Sequence, residues 1–570
     1  MAKNFKAWPK GWPTSLNYPQ IPVYAFLDQT AKRNPNRIAI IFEGLELTYG
    51  EFKELTDRFG AALRDLGVKK GSRVAIRLPN CPQFAIAYYG LLKSGATFTP
   101  LSPLLAPGEV AYQLNDSGAE TLIALDEQFP EVEPVLSTTG VKRVITTSLA
   151  DCQGPLKNCL KETQKVETPG AYDMISLLKK YEPAPGDDSI DIMKDLAHIS
   201  YTGGTTGFPK GVMLPHSNVV ANATQVAHWL NGAQIEMVDG ILEMVFPPGV
   251  DPIKDRLTAQ DRETALVVSP WYHALGTIRY LNNLVYTGTT MVVFRRFDPK
   301  EYLEAVVKYQ VTILGGAPQL YIPLVNHPDF KSYDLTCVKF AASGAAPLPL
   351  PVLERMLEAF SGVVCEAYGM TECTMGATAN PPDRSAIRVG SVGLPAFDTS
   401  LKVIDLITGE DLPPGQEGEI CIKGPQVMPG YLNRPEETAN QLKDGWLLTG
   451  DIGREDEDGF FYITGRKKDM IIYKGYNVYP REIEEVIFEH PAVSQCAVVG
   501  KPDEKAGEIP VAFVELREDT EVTEAEIMEY TNSQIAAYKK IRQVIFMDHI
   551  PVSGPGKVLK TVLRQRFQET

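Results

Sequence analysis

Tyr201-Thr202-Gly203-Gly204-Thr205-Thr206-Gly207-Phe208-Pro209-Lys210-Gly211 is the segment of the 570-residue sequence that most constrains its fold and chemistry. It follows an apolar run at 196–200, which predicts a strand that leads into a loop. The glycines let the backbone turn tightly and aim several N–H groups at one point. The threonine hydroxyls add donors and Lys210 adds a positive charge, so this phosphate loop predicts a site for a polyphosphate chain.

The phosphate loop differs from the Walker A pattern, in which a Gly-Lys pair is followed by Ser or Thr. Here Lys210 is followed by Gly211. A plainer interpretation is a polar turn that joins two elements of secondary structure. The density of phosphate-binding groups within eleven residues favours the functional interpretation.

The chain before the phosphate loop alternates predicted strands and helices. Short apolar runs at 39–42, 74–76 and 96–99 predict strands. A capping-box pattern, Thr-Tyr-Gly-Glu at 48–51, predicts the start of one helix, and a proline opens a second helix at 82–92. This alternation indicates an α/β fold built on a largely parallel sheet.

The second half of the chain no longer alternates strands and helices in this way. Short strands separated by turns are predicted at 401–404, 419–422 and 460–463. The last hundred residues predict a small α+β unit, with helices at 481–488 and 523–536 and strands at 497–499 and 511–514.

One stretch of the sequence predicts no regular structure. Residues 230–265 contain Pro247-Pro248-Gly249 and a charged run at 251–263. This composition predicts an irregular surface insertion, whose role the sequence leaves open.

Charge and composition exclude several classes of protein. The net charge of −15 argues against nucleic-acid binding, which needs a basic surface. The eight cysteines contain no Cys-x-x-Cys pair, so disulfide frameworks and cysteine zinc sites are not expected. Because no run of about 18 apolar residues occurs and no signal-peptide core is found, we expect a cytoplasmic protein with no integral membrane segment. Peripheral membrane contact stays open.

The phosphate loop resembles the signature of the adenylate-forming superfamily. That family contains acyl-CoA synthetases, firefly-luciferase-like enzymes and the adenylation domains of peptide synthetases. Further segments resemble the other family motifs in the same order, and the resemblance runs from about Tyr24 to Lys557. The implications below follow from this resemblance.

Two segments resemble the motifs that surround the acyl substrate. The first is Pro270-Trp271-Tyr272-His273-Ala274-Leu275-Gly276, where the resemblance implies that His273 lies against the substrate carboxylate. Taken alone, His273 would more often be structural. The second is Ser343-Gly344-Ala345-Ala346-Pro347-Leu348, where the resemblance implies that Gly344, Ala345 and Ala346 lie under the adenine and the acyl group.

The segment Glu366-Ala367-Tyr368-Gly369-Met370-Thr371-Glu372 resembles the adenine and magnesium motif. An aromatic side chain such as Tyr368 is suited to stack on adenine, and Thr371 is suited to bond a phosphate oxygen. Glu372 supplies the hard carboxylate oxygen that Mg²⁺ prefers, and the resemblance implies that Thr205 shares the ion. A carboxylate that binds no metal is the alternative.

Further motifs concern the ribose, the hinge and the thiol. The resemblance implies that Asp451 and Arg466 contact the ribose hydroxyls, that Lys468 is the hinge, and that Lys557 is the catalytic lysine of adenylation. It also implies that Lys474, Gly475 and Tyr476 belong to the loop that lines the thiol tunnel. Cys421 is expected to be structural, because it lies in an apparent buried strand with nothing nearby to lower its pKa.

The resemblance implies a complete architecture and activity. The fold is α/β, with a large N-terminal domain of layered sheets and helices at 1–465 and a small mobile α+β C-terminal domain at 466–570. The expected enzyme is an acid–thiol ligase that uses ATP, Mg²⁺ and coenzyme A to convert a small-molecule carboxylic acid, through its acyl-adenylate, into a thioester. A homodimer is also implied.

The identity of the acid is less constrained. The pocket is expected around Trp229, His273, 315–318 and 344–346. Gly288 and the small residues at 315–317 leave room, which favours a medium- or long-chain fatty acid. Aromatic, branched and cyclic acids remain open.

Three other functions fit parts of the pattern. Amino-acid adenylation modules place an aspartate where this chain has Trp271 and Tyr272, and they precede a carrier domain that is not expected here. A luciferase-like oxygenase shares nearly all the motifs. A non-catalytic nucleotide sensor would be expected to lack Lys557 or Glu372, and both are present.

Overall fold

The computed structural model describes residues 5–152, 165–166, 168–202, 208–344, 348–517, 520–552 and 558–567. Two large sheets, a smaller antiparallel sheet and a separate C-terminal sheet dominate this part of the chain. The α/β class with a separate small domain is therefore confirmed.

The first large sheet has eight strands in the described chain. Its central members are parallel, and its phosphate-loop edge is antiparallel. The strands in spatial order are Gly430–Tyr431, Gly211–Pro215, Leu196–Tyr201, Thr97–Pro100, Arg73–Arg77, Thr121–Leu125, Arg143–Thr147 and Tyr172–Asp173. The phosphate loop therefore joins two hydrogen-bonded neighbours, Leu196–Tyr201 and Gly211–Pro215.

The second large sheet has nine strands and a parallel centre. Its strands in spatial order are Leu394–Pro395, Thr378–Ala379, Val363–Tyr368, Phe340–Ser343, Ile313–Gly316, Thr264–Val267, Thr290–Val293, Ile38–Phe42 and Leu45–Thr48. The carboxyl ends of its parallel strands share one edge, which is where ligands bind in sheets of this kind.

Two antiparallel-rich sheets follow along the chain. The first contains Ser400–Ile404, Gly418–Lys423, Trp446–Glu455, Leu442–Lys443 and Phe461–Arg466. The C-terminal sheet contains Tyr476–Val478, Ile471–Tyr473, Gly507–Leu516, Val493–Asp503 and Gln543–Phe546. Each of these sheets draws all its strands from one side of residue 467.

The helices pack around these sheets. The α-helices in chain order are Ala25–Arg33, Tyr49–Asp65, Pro82–Lys93, Pro107–Ser117, Phe129–Leu136, Met174–Lys180, His216–Trp229, Asn283–Tyr286, Pro299–Tyr309, Pro318–Asn326, Leu350–Ala359, Pro435–Gln441, Pro480–Phe488, Glu524–Gln534 and Lys560–Gln565. Short 3₁₀ turns occur at Leu149–Cys152, Phe330–Ser332, Thr371–Cys373 and Arg384–Ala386, and a π-helix spans Leu275–Asn282. Within the described chain no helix has the length and apolar character that crossing a bilayer requires.

The predicted elements before the phosphate loop are confirmed. Thr48 and Glu51 form a capping box at the start of Tyr49–Asp65. The capping box gives hydrogen-bond acceptors to two backbone N–H groups that would otherwise lack partners. The helix Pro82–Lys93 is buried along its whole length, and its last residue, Lys93, contacts the carboxylates of Asp28 and Asp57.

The prediction of an irregular insertion at 230–265 is wrong in part. Strands Gln234–Val238 and Ile241–Val245 form an antiparallel hairpin. Its two turn residues, Asp239 and Gly240, have φ of 49° and 73°, which fits the type I′ turn that matches the twist of a hairpin. The Asp-Gly pair is a recognised sequence signal for this turn.

Candidate active site

One group of predicted residues meets where strand Val363–Tyr368 ends. The phenol of Tyr368 donates to Asp451 Oδ2 at 2.6 Å, and Arg466 Nε donates to Asp451 Oδ1 at 2.7 Å. The pairing of two strands sets this geometry, because Asp451 and Arg466 are directly opposite each other in the ladder. We call these three residues the Asp451 cluster.

The Asp451 cluster has a defined protonation pattern. Burial, and then the charge of Asp451, raise the pKa of Tyr368 well above its ordinary value, so the phenol remains a donor. Each carboxylate oxygen retains a second acceptor site after one hydrogen bond. Asp451 is therefore able to accept hydrogen bonds from a vicinal diol while its two protein partners hold it in place.

A second group lies beside the phosphate loop. Glu372, in the 3₁₀ turn Thr371–Cys373, accepts a 2.8 Å hydrogen bond from the phenol of Tyr431 at Oε1. Lys210 Nζ lies 4.2 Å from the centre of the Tyr431 ring. We call these three residues the Glu372 cluster. Burial and the charge of Glu372 raise the pKa of Tyr431, which keeps this phenol protonated as well.

The Glu372 cluster fits a magnesium ion. Glu372 is 8% exposed, and its hydrogen-bond partner Tyr431 has the Lys210 ammonium over its ring, so a carboxylate and a cation face the same tyrosine. Mg²⁺ usually keeps several waters and phosphate oxygens and takes only one or two carboxylates. The described residues contain no group of three or more His, Cys, Asp or Glu that would form an all-protein metal site.

His273 precedes an unusual helix. The π-helix Leu275–Asn282 starts two residues after it, and such wide turns are frequent at functional sites. A Cβ at Gly276 would lie 1.8 Å from the carbonyl oxygen of Pro270, so this position requires glycine. The ring of His273 lies 4.8 Å from that of Tyr272.

The predicted position of Trp229 in the acyl pocket is wrong. Trp229 is 3% exposed and packs edge-on against Trp8 and Phe397. Its indole N–H donates to the carbonyl oxygen of Asn380 at 2.9 Å. These contacts make it part of the core.

The expectation that small residues leave room for the acyl chain is also wrong at two positions. Gly288 lies in a turn with φ of 68°, and a Cβ there would meet the carboxylate of Asp261. A Cβ at Gly315 would lie 1.5 Å from the phenol oxygen of Tyr280. The space beside Gly315 is therefore already occupied by this tyrosine.

The remaining residues of the adenine motif shape the backbone. Glu366 Oε1 accepts from Leu348 N at 3.1 Å, and burial raises the pKa of Glu366. Gly344 N donates to Gly316 O at 3.1 Å, which ties the adjacent strand ends together. The others extend the strand or turn: Ala367 pairs with Ala379, Gly369 abuts Met375, Met370 precedes the 3₁₀ turn, and Thr371 begins it.

The thiol-loop residues form a tight hairpin turn. Lys474 and Gly475 have φ of 50° and 84°, between strands Ile471–Tyr473 and Tyr476–Val478. Tyr476 is 58% exposed and its ring stacks on that of Tyr538 at 5.0 Å. Lys468 lies in the turn that separates Phe461–Arg466 from this hairpin.

Some predicted site residues lie outside the described residues. They are Gly203, Gly204, Thr205, Thr206, Gly207, Ala345, Ala346 and Lys557. The segment ends next to them are defined: Thr202 N donates to Lys210 O at 3.1 Å, and Val552 pairs with Val558.

The structural assignment of Cys421 agrees with its environment. Cys421 is buried in strand Gly418–Lys423, and burial raises its pKa to about 12. A thiol with this pKa is protonated at neutral pH and is a poor nucleophile.

Tyr431 is the site residue that the sequence did not predict. It reaches Glu372 from an edge strand 59 residues away along the chain. A tyrosine between a glycine and a leucine carries no motif that would indicate this contact.

Comparison with known proteins gives consistent matches along the chain. The AMP-binding enzyme family model matches residues 27–432, and the model of the AMP-binding enzyme C-terminal domain matches residues 482–557. A long-chain-fatty-acid–CoA ligase from Bacillus subtilis strain 168 is 35% identical over 99% of this chain and 97% of its own. A feruloyl-CoA synthase from an Amycolatopsis species is 33% identical over 94% and 97%.

The fold comparison agrees with these matches. The crystal structure of ATP-bound MatB from Rhodopseudomonas palustris superposes with a TM-score of 0.82 and 27% identity, covering 96% of this chain and 99% of the other. The predicted membership of the adenylate-forming superfamily is therefore confirmed. The length of the family match and the identity along nearly the whole sequence show that this chain belongs to the AMP-binding enzyme family.

Proposed function

We propose that this protein is an AMP-forming acyl-CoA synthetase that activates a medium- or long-chain fatty acid with ATP and transfers the acyl group to coenzyme A. The observation that carries the proposal is the identity to a long-chain-fatty-acid–CoA ligase over 99% of this chain. Support also comes from the Asp451 and Glu372 clusters, which bring together side chains suited to a diol and to a phosphate-bound cation.

In the first step, an oxygen of the substrate carboxylate attacks the α-phosphorus of ATP and pyrophosphate leaves. Both reactants are anionic, so positioned cations and N–H donors lower the barrier. Lys210 is assigned to the phosphates, and Lys557 to the charge on the transferring phosphoryl group. Loss of one preorganised group of this kind costs on the order of 10²–10³-fold in rate.

Other residues of this chain position the reactants. Asp451 accepts from the ribose hydroxyls while Tyr368 and Arg466 fix its carboxylate. His273 lies against the substrate carboxylate. Magnesium, when held by Glu372 and Thr205, supplies charge neutralisation at the phosphate oxygens.

In the second step, the thiol of coenzyme A attacks the acyl-adenylate carbonyl and AMP leaves. We assign Lys474, Gly475 and Tyr476 to the loop that admits this thiol. The exposed stack of Tyr476 on Tyr538 and the adjacent cation Arg542, which donates to Tyr473, support the assignment because they form a surface suited to an anionic nucleotide.

The proposal includes a domain boundary between residues 465 and 466, with Lys468 as the hinge. Its support is that, in the described chain, no strand of the C-terminal sheet pairs with the N-terminal sheets. A homodimer and a cytoplasmic location belong to the same proposal. Light scattering of the purified protein and fractionation of its cells test these two points.

The decisive experiment measures pyrophosphate release with ATP and Mg²⁺ over a panel of acids, with and without coenzyme A. The panel covers short to long fatty acids, aromatic acids and amino acids. We expect sustained release that needs both coenzyme A and a fatty acid. A preference for aromatic acids would favour the second candidate, an aromatic-acid–CoA ligase, which the feruloyl-CoA synthase relative supports.

Two variants separate the half-reactions. Lys557→Ala is expected to lose adenylation while it still forms thioester from preformed acyl-adenylate. Lys474→Glu is expected to do the reverse. If amino acids alone drove release without coenzyme A, the chain would instead be an amino-acid adenylation enzyme.

A further inference from the structure

Tyr431 is a buried tyrosine that contacts both charges of the Glu372 cluster. It is 3% exposed, and its phenol donates to Glu372 Oε1 at 2.8 Å. The ammonium of Lys210 lies 4.2 Å from the centre of the same ring. The hydroxyl and the ring of one side chain therefore hold a carboxylate and a cation, each through a different interaction.

The two charges come from different sheets. Lys210 precedes the strand Gly211–Pro215 of the first large sheet. Glu372 lies in the 3₁₀ turn that follows the strand Val363–Tyr368 of the second large sheet. The backbone hydrogen bonds of either sheet alone therefore do not fix the position of the carboxylate relative to the cation.

The backbone around Tyr431 connects these two places. The strand Gly430–Tyr431 pairs with Gly211–Pro215 at the edge of the first sheet. Three residues before Tyr431, Met428 N donates to the carbonyl oxygen of Glu372 at 2.9 Å. This short segment therefore bridges the phosphate-loop edge and the turn that carries the carboxylate.

A further anchor follows Tyr431 along the chain. Arg434 Nη2 donates to Asp116 Oδ1 at 3.1 Å, and the phenol of Tyr201, the first residue of the phosphate loop, donates to Asp116 Oδ2 at 2.9 Å. The backbone anchors and this ion pair do not involve the side chain of Tyr431. We therefore expect a substitution of that side chain to leave the backbone in place.

A neutral donor suits this position. A lysine or arginine beside Glu372 would cancel the charge that attracts a metal ion, whereas a phenol donates one hydrogen bond and leaves the charge. Burial, and then the charge of Glu372, raise the pKa of Tyr431, so the phenol stays a donor at neutral pH. A carboxylate has about four acceptor sites, so Glu372 retains oxygen lone pairs for Mg²⁺ or one of its waters.

We propose that Tyr431 is a positioning residue of the adenylation step, whose phenol orients the Glu372 carboxylate for Mg²⁺ and whose ring holds the Lys210 ammonium for the phosphates. The inference rests on the proposed function. Positioning matters here because a displacement of about 1 Å at a reacting group costs on the order of 10²-fold in rate. The two effects are separable, since the hydroxyl acts through the metal and the ring acts through the lysine.

The test removes the hydroxyl and the ring in turn. Tyr431→Phe keeps the ring beside Lys210 and loses the hydrogen bond to Glu372, whereas Tyr431→Leu loses both. Isothermal titration calorimetry, without any acid, measures the Kd of ATP with Mg²⁺ and of ATP in EDTA. We expect Tyr431→Phe to weaken binding of ATP with Mg²⁺ by about tenfold, as for a hydrogen bond to a charged group, and to leave metal-free binding unchanged. Tyr431→Leu should also weaken metal-free binding, by about threefold.

Two further variants serve as controls. Tyr181→Phe is the matched control, because the phenol of Tyr181 also donates to a carboxylate, that of Asp65 at the end of the helix Tyr49–Asp65. We expect it to change neither Kd. In a protein that already carries Glu372→Gln, adding Tyr431→Phe should change the Kd of ATP with Mg²⁺ by less than about twofold, because the hydroxyl acts through Glu372.

The inference is overturned if Tyr431→Phe binds ATP with Mg²⁺ as tightly as wild type, or if it weakens binding equally with and without the metal. It is also overturned if the full effect of Tyr431→Phe persists beside Glu372→Gln. If Tyr431→Leu fails to fold, the results for Tyr431→Phe decide alone. The binding measurement contains no acid, so its failure is distinct from that of the proposed function, which is contradicted if no acid of the panel gives pyrophosphate release.

Discussion

Lys93 and Arg279 are both buried cations, but the groups that surround their charges differ. Lys93 is wholly buried at the end of a core helix and contacts Asp28 and Asp57. Arg279 has one amide partner and two aromatic rings. A cation that only supports the fold is neutralised by the chain itself. The difference is that carboxylates compensate Lys93, whereas an amide oxygen and two aromatic faces surround Arg279.

Glu372 is the anionic counterpart of this contrast. Its buried carboxylate accepts from a phenol rather than from a lysine or arginine. Lys210, the cation of the Glu372 cluster, lies over the ring of Tyr431. Within the described chain, Glu372 is therefore a buried charge that no cationic side chain hydrogen-bonds, and the following predictions test this contrast.

The largest effect is expected from Asp57→Ala. Removing Asp57 leaves the buried Lys93 ammonium with the partly exposed Asp28 as its remaining carboxylate, so the free energy of unfolding should fall by about 3 kcal/mol. Urea unfolding followed by circular dichroism measures the shift of the midpoint. Glu54→Gln, on the exposed side of the same helix, is the control and should leave the midpoint unchanged. Equal midpoints for the two variants would contradict the structural role of the Lys93 ion pairs.

Glu372→Gln should affect activity instead of stability. The amide keeps a hydrogen-bond acceptor for Tyr431 but removes the charge that suits Mg²⁺. We expect pyrophosphate release to fall on the order of 10²–10³-fold, with an unchanged unfolding midpoint. Glu358→Gln, an exposed glutamate, serves as the control. If the variant retained full activity over a Mg²⁺ titration, Glu372 would not be a ligand of the ion.

Buried histidines show a third way to keep a polar group inside, which is to leave it uncharged. Burial lowers the pKa of His198 to about 3 and that of His216 and His228 to about 4. The unfolded chain, with a histidine pKa near 6.5, then binds more protons than the folded chain. The free energy of unfolding should therefore fall as pH decreases from about 6.5 towards 4.

Each such histidine contributes at most about 1.4 kcal/mol per pH unit in this window. His228→Gln tests the effect, since its ring bonds only neutral groups, Ala233 O and the phenol of Tyr286. We expect a shallower pH dependence of the unfolding midpoint than in wild type. Parallel curves for the two proteins would show that His228 is not held neutral.

The smallest effect on stability is expected from Arg279→Met. An apolar side chain of similar length replaces a charge that lacks a counter-ion, so the free energy of unfolding should stay within about 1 kcal/mol of wild type or rise. The same urea unfolding measures it. A loss as large as that of Asp57→Ala would mean that Arg279 is a structural cation like Lys93.

The sequence predicts local structure well where the signal is local. The capping box at Thr48 and Glu51 and the strand before the phosphate loop are both confirmed. The hairpin at 234–245 carried an Asp-Gly signal that the surrounding prolines and charges obscured. Short-range patterns of this kind are readable because the residues that form them are neighbours in the chain.

Contacts between distant residues are not readable in this way. Trp229 is held in the core by the N-terminal segment, where Trp12 donates to its carbonyl oxygen from 217 residues away. The approach of Tyr431 to Glu372 and the burial of Arg279 likewise depend on how separate elements pack. Motif resemblance identified the residues of the Asp451 cluster, but their mutual hydrogen bonds became visible only in three dimensions.

Tyr280 and Gly315 form a complementary steric pair. The phenol oxygen of Tyr280 lies where a side chain at residue 315 would begin, so these two positions divide one volume beside strand Ile313–Gly316. A smaller side chain at residue 280 would leave a cavity beside the strand, and a larger residue at 315 would need that cavity to fit. A substitution that changes the size of either side chain is therefore tolerated only together with the opposite change at the other position.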